Sequence, residues 1–533
     1  MRALLMYPDR DFDPHQSLQD VTYGYRRDAD RQSQLPPHER ALIQDLELDT
    51  LLRAMAREDK FLFEVARKTL LSGLRTDIDT ILYRQEILKD CLQHPAVVME
   101  LYNLTAEVIE TTRKHTWGLS SRFASSMLYS STEFLEMLAD MLKRLRGIAE
   151  VHSGRFISDG FTTLFTMLQK ELSDEYLANI RDHLALAKFR KGVLLSAGLG
   201  EWNESTNLVL RKTLGKTQKW FERLLGKGPP AYTFHLHERD ETGARIVGDM
   251  RHRGISRVAV ALAQSADHVL NFFKMLRTEL AFYVGCLNLH GRLAAKEEPT
   301  CFPTPAPPSE RKHNFTGLYD VCLSLRMERR VVGNAAVADG KNLIIITGAN
   351  QGGKSSFLRS IGVAQVMMQC GMFVGAEGFK AELCPALFTH YKREEDSTMK
   401  SGKFDEELAR MSEIADHIAP NSMVLFNESF AATNEREGSE IAKQVVCALL
   451  EKRIKIFYVT HLYEFARGIF NRKLEDAMFL RAERKSDGTR TFRLVEGEPL
   501  ETSYGEDLYH QIFDSNGQFQ NAKTNGATST IAS

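Results

Sequence analysis

Apolar and polar positions follow two regimes along this chain, and the change between them falls near a proline tract. Over residues 41–95 apolar side chains recur every three or four positions, as in LIQDLELDTLLRAM and TDIDTILYRQEILKDCL. That spacing predicts helices, the second opened by Thr76 and Asp77 as a cap. Blocks over about 97–150 and 160–225 continue the helical pattern. AYTFHLHERDETGARIV then alternates with period two and predicts a short hairpin at 231–247, turning near Glu241 to Gly243. From about Ile255 to Leu293 a long helix is expected, with Val258, Leu262, Val269, Phe273, Leu276, Leu280 and Leu287 as its buried stripe. At 1.5 Å per residue it would span roughly 57 Å, enough to act as a lever. Pro299, Pro303, Pro305, Pro307 and Pro308 end the helical pattern and predict a linker over 299–312.

Beyond the prolines the pattern becomes short apolar runs, each ending in polar or glycine residues, as buried parallel strands require. Residues 344–355 read IIITGANQGGKS and place Gly348, Gly353, Lys354 and Ser355 at the spacing GxxxxGK[ST], the Walker A or P-loop pattern. Glycines without a Cβ let successive backbone N–H groups close around a phosphate, and the following helix adds its positive N-terminal end. Lys354 would reach β/γ oxygens, and the Ser355 hydroxyl would sit on Mg²⁺. A second run, Met423 to Phe426, ends in Asn427 and Glu428. Glu428 suits the carboxylate that polarises an attacking water. Asn427 stands where a metal-holding carboxylate is usual, and an amide supplies no charge, which points to slow hydrolysis of ATP to ADP and phosphate. IKIFYVTH, from Ile454, ends in His461, whose imidazole would contact the γ-phosphate or its water.

Composition narrows the class without naming it. The chain has 533 residues, 43% of them hydrophobic, with a mean hydropathy of −0.29, room for two or three domains with cores. Seven cysteines at 91, 286, 301, 322, 370, 384 and 447 form no CxxC pair, so neither a zinc site nor a disulfide framework is indicated and a reducing cytoplasm fits. No run of eighteen apolar residues appears, and MRALLMYPDRDFDP turns acidic too soon for a signal peptide, so no membrane partner is expected. Net charge is −1, so a nucleic-acid footprint must be local. Two basic stretches qualify: RKTLGKTQKWFERLLGK from Arg211 to Lys227, with Trp220 and Phe221 as stacking platforms, and the set Arg245, Arg251, Arg253 and Arg257. A solvated helix face or hairpin rim is the plainer reading of both.

These strings carry a family resemblance. TGANQGGKSSFLRSIG, including Asn350 and the paired Gly352 and Gly353, resembles the TGPNMGGKST loop of MutS, the DNA mismatch-repair ATPase of the ABC superfamily. Ser429 to Gly438 resembles the stretch after that family's DE pair, YVTHLYEFA its THYFEL segment, SYGEDLYHQIF its SYG segment, and RTDIDTILYRQEIL a pattern of its helical core. SGKFDEELARMSEI resembles GRSTFMVEMTE, matching Phe404 and Glu407, with Ser401 nearest the signature serine and Lys403 where a hydroxyl is usual.

The resemblance implies an α + α/β chain: an N-terminal segment over 1–40, a helical core and lever region over 41–298, and an ABC-type P-loop ATPase domain over 313–514. It implies ATP and Mg²⁺ as ligands, with Ser355 and Asn427 at the metal. Gly348, Asn350, Gly352, Gly353, Lys354, Ser355 and Ser356 would lie around the phosphates. Val331, Val332 and Asn334 would lie against adenine, His461 would act as a histidine switch, and Ser401, Phe404 and Glu407 would reach a partner's site in a homodimer. DNA is then the expected partner, in repair or recombination. The family's mismatch-reading α/β domain has no room ahead of residue 40, and the string Phe134-Leu135-Glu136 reads as helix packing rather than an FxE wedge. The tail over 515–533 is polar and reads as disordered. A nucleotide-gated dimeric interaction protein with vestigial hydrolysis and no DNA ligand is the alternative.

Overall fold

The computed structural model describes residues 1–12, 37–74, 76–115, 123–190, 192–202, 205–211, 232–393, 402–485 and 488–501. Helices α1 (Pro37–Asp45), α2 (Leu48–Ala56), α3 (Lys60–Gly73), α4 (Ile78–Gln93), α5 (Pro95–His115), α6 (Ala124–His152), α7 (Asp159–Glu171) and α8 (Asp174–Ala187) come first. A hairpin of β1 (Leu194–Leu199) and β2 (Ser205–Arg211) and the long helix α9 (Glu241–Ala294) follow. These elements and the strands after them form two compact units. One comprises Met1–Leu5, Asp9–Phe12 and His94–Leu280, the other Met6–Pro8, Asp13–Gln93 and Ala281–Ser533.

The first unit is helical because its sequence offers one apolar stripe per helix. Phe156, Phe161 and Phe165 stack around the start of α7, and Leu138, Leu142 and Leu145 are buried along α6. Buried Glu279 on α9 takes the N–H groups of Leu5 and Phe12 at 2.5 and 2.6 Å, pinning the chain's first residues. Of the expected stripe on α9, Phe273, Leu276 and Leu280 are fully buried, while Ile255, Ala259 and Ala266 complete it. Phe134 is 3% exposed within α6, so the phenylalanine of the FxE string is core.

Three expectations need correction here. Residues 232–240 of the predicted hairpin at 231–247 contain no strand, and 241–247 are instead the first turns of α9, capped by the Asp240 carboxylate, which accepts the Gly243 N–H at 2.8 Å. That local cap outweighs the period-two alternation before it. The hairpin lies upstream at 194–211, inside the block read as helical. It packs on α9 at Gly254, where an added Cβ would stand 2.4 Å from the Leu195 side chain. The proline tract is no linker: β3 (Thr304–Ala306) pairs in parallel with residues 380–382, and the compact units divide within α9 instead. Most of the basic stretch 211–227, the tail over 515–533 and the SYG segment fall outside the described residues.

In the second unit, α1–α4 accompany two sheets. The helical stretch LIQDLELDTLLRAM is divided at Glu47, which takes φ 54° between α1 and α2. Asp77 caps α4 as expected, accepting from Thr80 N–H and hydroxyl at 2.8 and 2.9 Å. After β3 come β4 (His313–Leu318), α10 (Val321–Arg326), β5 (Asn334–Val337), β6 (Leu343–Gly348), α11 (Lys354–Gln369), β7 (Gly378–Glu382) and β8 (Leu387–Tyr391). Then follow α12 (Lys403–His417), β9 (Met423–Asn427), α13 (Glu435–Glu451), β10 (Lys455–Val459), α14 (Tyr463–Asn471), β11 (Ala477–Arg484) and β12 (Arg490–Glu496).

The main sheet runs β12-β11-β6-β10-β9-β8, all parallel except β12, and the smaller one runs β3-β7-β4-β5. Ile344, Ile345 and Ile346 are fully buried at its centre, as strands covered on both faces demand. Leu343, Ile345, Val424, Phe426, Ile456 and Tyr458 form the core beneath α12, α13 and α14. At the opposite end of these strands a buried ion cluster ties the two sheets together. Lys455 Nζ lies 2.7 Å from Glu382, which also pairs with Arg311 at 3.5 Å.

Candidate functional site

Parallel strands deliver their C-terminal ends to one edge, and in open α/β sheets that edge is where ligands bind. Here β6, β10 and β9 are neighbours, and they end respectively in the glycine-rich loop, in Thr460–His461 and in Asn427–Glu428. Gly348 leaves β6 with φ 107°, and a Cβ there would meet Ala482 N at 2.8 Å. Gly353, at φ 87°, caps α11. Glycine suits both positions because each needs a left-handed backbone, and at Gly348 a neighbouring backbone atom also leaves no space for a Cβ.

Lys354 is buried, and its Nζ donates to Gly348 O and Ala349 O at 2.9 and 3.0 Å across the loop it follows. Burial holds its pKa below the usual lysine value, opposed by the Glu428 carboxylate and assisted by Arg490. Ser355 Oγ donates to Asn427 Oδ1 at 3.0 Å, joining the first turn of α11 to the end of β9. One residue on, Glu428 takes φ 54°, a left-handed conformation that strains a non-glycine residue by about 1–3 kcal/mol. Its N–H is fixed to Val459 O at 2.9 Å. His461 Nδ1 lies 3.9 Å from Glu428 Oε2.

A cavity of about 590 Å³ gathers these parts: Asn350 to Ser356, Glu428, Val331, Val332 and Asn334 all line it. The cavity brings together residues from three separate segments. Its polar floor is the glycine loop, and Leu318, Leu323 and Met327 give it an apolar end. Asn334 sits differently from expectation. Its amide is spent on β12, accepting Leu494 N–H at 2.8 Å and facing Phe492 O at 3.4 Å, so it holds a strand at the rim. Asn427 and His461 stand just outside the lining, each through a contact with a residue inside it.

Of the expected trans residues, Ser401 lies outside the described residues. Phe404 packs on the core, and Glu407 is buried, with Phe430 and Ala432 N–H groups on its carboxylate. Burial raises its pKa against those bonds. Two groups escaped the sequence reading. Phe492, at φ 60°, faces Gly353 across the cavity rim. Buried His390 bridges Ser429 Oγ at 2.7 Å and Glu407 O at 2.9 Å, locking α12 to the turn that follows Glu428. Neither belongs to a motif; His390 is one residue inside an apolar strand and carries no local signal.

The fold is thus an α/β domain whose strand ends, left-handed glycine loop and Glu428 gather around one cavity. Residues 76–296 match the MutS2 N-terminal domain and residues 344–517 match MutS domain V. MutS protein homolog 4 of Mus musculus is 28% identical over 196 residues, 36% of this chain and 20% of that protein. DNA mismatch repair protein MutS of Leuconostoc citreum is 26% identical over 244 residues, 45% of this chain and 28% of its own length. Endonuclease MutS2 of Thermus thermophilus is 31% identical over 141 residues, 26% and 19% of the two chains. The matched stretches span less than a third of each of these relatives. The chain belongs to the MutS family.

Among the described residues no helix is long and apolar enough to cross a membrane, and no three His, Cys, Asp or Glu side chains gather as a metal site.

Proposed function

We propose that this chain binds ATP with Mg²⁺ at the cavity beside the glycine loop, hydrolyses it, and uses it to control a grip on DNA in repair or recombination. The observation that carries the reading is the convergence of Asn350 to Ser356, Glu428 and the Val331–Asn334 segment on one cavity at the strand ends. In this reading the loop is a P-loop whose N–H groups cradle phosphates, and Lys354 turns from the loop carbonyls to the β/γ oxygens. Ser355 Oγ and Asn427 Oδ1, 3.0 Å apart, are hard neutral oxygens that suit Mg²⁺ retaining its waters. When bound, the ion would neutralise phosphate charge. Glu428, its backbone fixed by Val459, orients the attacking water and takes its proton, and His461 steadies the water or γ-phosphate from the next strand. A second copy would complete the site through the segment before α12, making a homodimer.

Asn427 favours a second reading, a nucleotide-gated dimeric interaction protein with vestigial hydrolysis, because an amide contributes no charge beside the metal. Steady-state ATP hydrolysis with and without duplex, branched and single-stranded DNA, at stated salt, separates them. DNA stimulation supports the first. A near-zero rate unaffected by DNA, with ATP bound, supports the second.

A further inference from the structure

The long helix α9 ends in a way that fastens the cavity wall. Its last carbonyls are closed by a paired turn, Glu298 N–H to Leu293 O at 3.1 Å and Glu297 N–H to Ala294 O at 3.0 Å. Glu297 takes φ 56° at the position where such a stop normally carries glycine. The residues on either side of this left-handed turn both reach segment 324–331. Lys296 Nζ donates to Ser324 O and Met327 O at 2.5 and 2.6 Å. The Glu298 side chain is fully buried, and one oxygen accepts both the Ser324 hydroxyl and the Val331 N–H at 2.9 Å. Its other oxygen faces Arg330 Nε at 3.8 Å. Met327, Arg329, Arg330 and Val331 of that same segment line the cavity.

We infer that Lys296 and Glu298 are positioning residues for the nucleotide cavity. They make the foot of α9 and wall 324–331 one body, so that a nucleotide seated against the wall is felt at the helix foot. The inference rests on the nucleotide reading above. Its physical basis is that a buried carboxylate cannot give up its donors without leaving Val331 N–H and its own charge unsatisfied, so wall and helix foot must move together.

The test is hydrogen exchange of peptides covering 285–296 and 324–332, with and without Mg²⁺ and a non-hydrolysable ATP analogue, alongside the KM and kcat for ATP. In the parent protein the analogue slows exchange in both peptides by about fivefold or more, the lower range of coupled sites. Lys296→Met keeps the aliphatic stem and removes the donors while Glu298 still holds Val331, so it weakens the slowing at 285–296 at least twofold while 324–332 still responds, and KM rises with kcat little changed. Glu298→Gln keeps the acceptor oxygen and retains most of the slowing, whereas Glu298→Ala abolishes it. If Glu298→Ala fails to fold, Lys296→Met decides alone. Unchanged slowing at 285–296 in Lys296→Met with the analogue bound overturns the inference and leaves the nucleotide reading standing. Absence of analogue binding to the parent protein overturns both.

Discussion

Replacing Asn427 with aspartate tests whether the strand-end amide limits hydrolysis. Asn427 Oδ1 accepts from Ser355 Oγ at 3.0 Å, at the place proposed for Mg²⁺. A hydrogen bond to a charged acceptor contributes about 1.5–3 kcal/mol against about 0.5–1.5 for a neutral one, a gain of roughly 1–1.5 kcal/mol. The like charge of Glu428, one residue away, opposes part of it. A net gain of about 1 kcal/mol corresponds to roughly a fivefold change in rate. Steady-state hydrolysis measured across a MgCl₂ series should show Asn427→Asp with a kcat raised about fivefold and half-saturation at lower Mg²⁺. If neither parameter moves by more than about twofold, the metal does not sit between Ser355 and position 427, and the reasoning fails.

Glu382→Ala leaves the buried Lys455 and Arg311 without their shared carboxylate and should cost about 3–5 kcal/mol in urea unfolding; a loss below about 1 kcal/mol would contradict the ion cluster's role in joining the sheets. His390 is pushed down to about 4 by burial, with Arg410 and Arg393 adding to the effect. The unfolded chain binds a proton below about 6.5 that the folded state refuses until about 4, so stability is full above 6.5 and falls as pH drops toward 4, by about 3 kcal/mol in all. Urea midpoints measured over pH 4–7 should show this fall and should lose it in His390→Gln. Gly438→Ala places a Cβ 2.3 Å from Phe430 O, against backbone that cannot yield without disturbing the turn after Glu428. That variant should cut kcat tenfold or more at roughly unchanged ATP affinity, an outcome read by single-turnover hydrolysis.

The two-sheet half was legible because its strands are apolar on both faces and end in residues at a motif's spacing. Ile344 to Ile346, Met423 to Phe426 and the run toward His461 each form a strand as expected, and the sheet makes the three neighbours. The hairpin was misplaced for the opposite reason. Leu194–Leu199 and Ser205–Arg211 are half exposed and pack mainly on each other and on α9, so neither strand shows a clean period. The start of α9 was hidden because its cap, Asp240, follows an alternating segment that mimics a strand. The proline tract ended the helix as expected, yet β3 satisfies its backbone by pairing with β7, a long-range contact that no local pattern announces. The hold of Asn334 on β12 and the bridge made by His390 escaped for the same reason, since each acts through partners far away in sequence.

The most direct test of the account is equilibrium binding of a fluorescent ATP analogue with Mg²⁺ to the parent protein and to Lys354→Ala. Loss of a charge-assisted contact contributing about 1.5–3 kcal/mol predicts that the variant binds roughly 10- to 150-fold more weakly while keeping its fold by circular dichroism. Equal affinity of the two proteins would place the nucleotide elsewhere and contradict the assignment of this cavity.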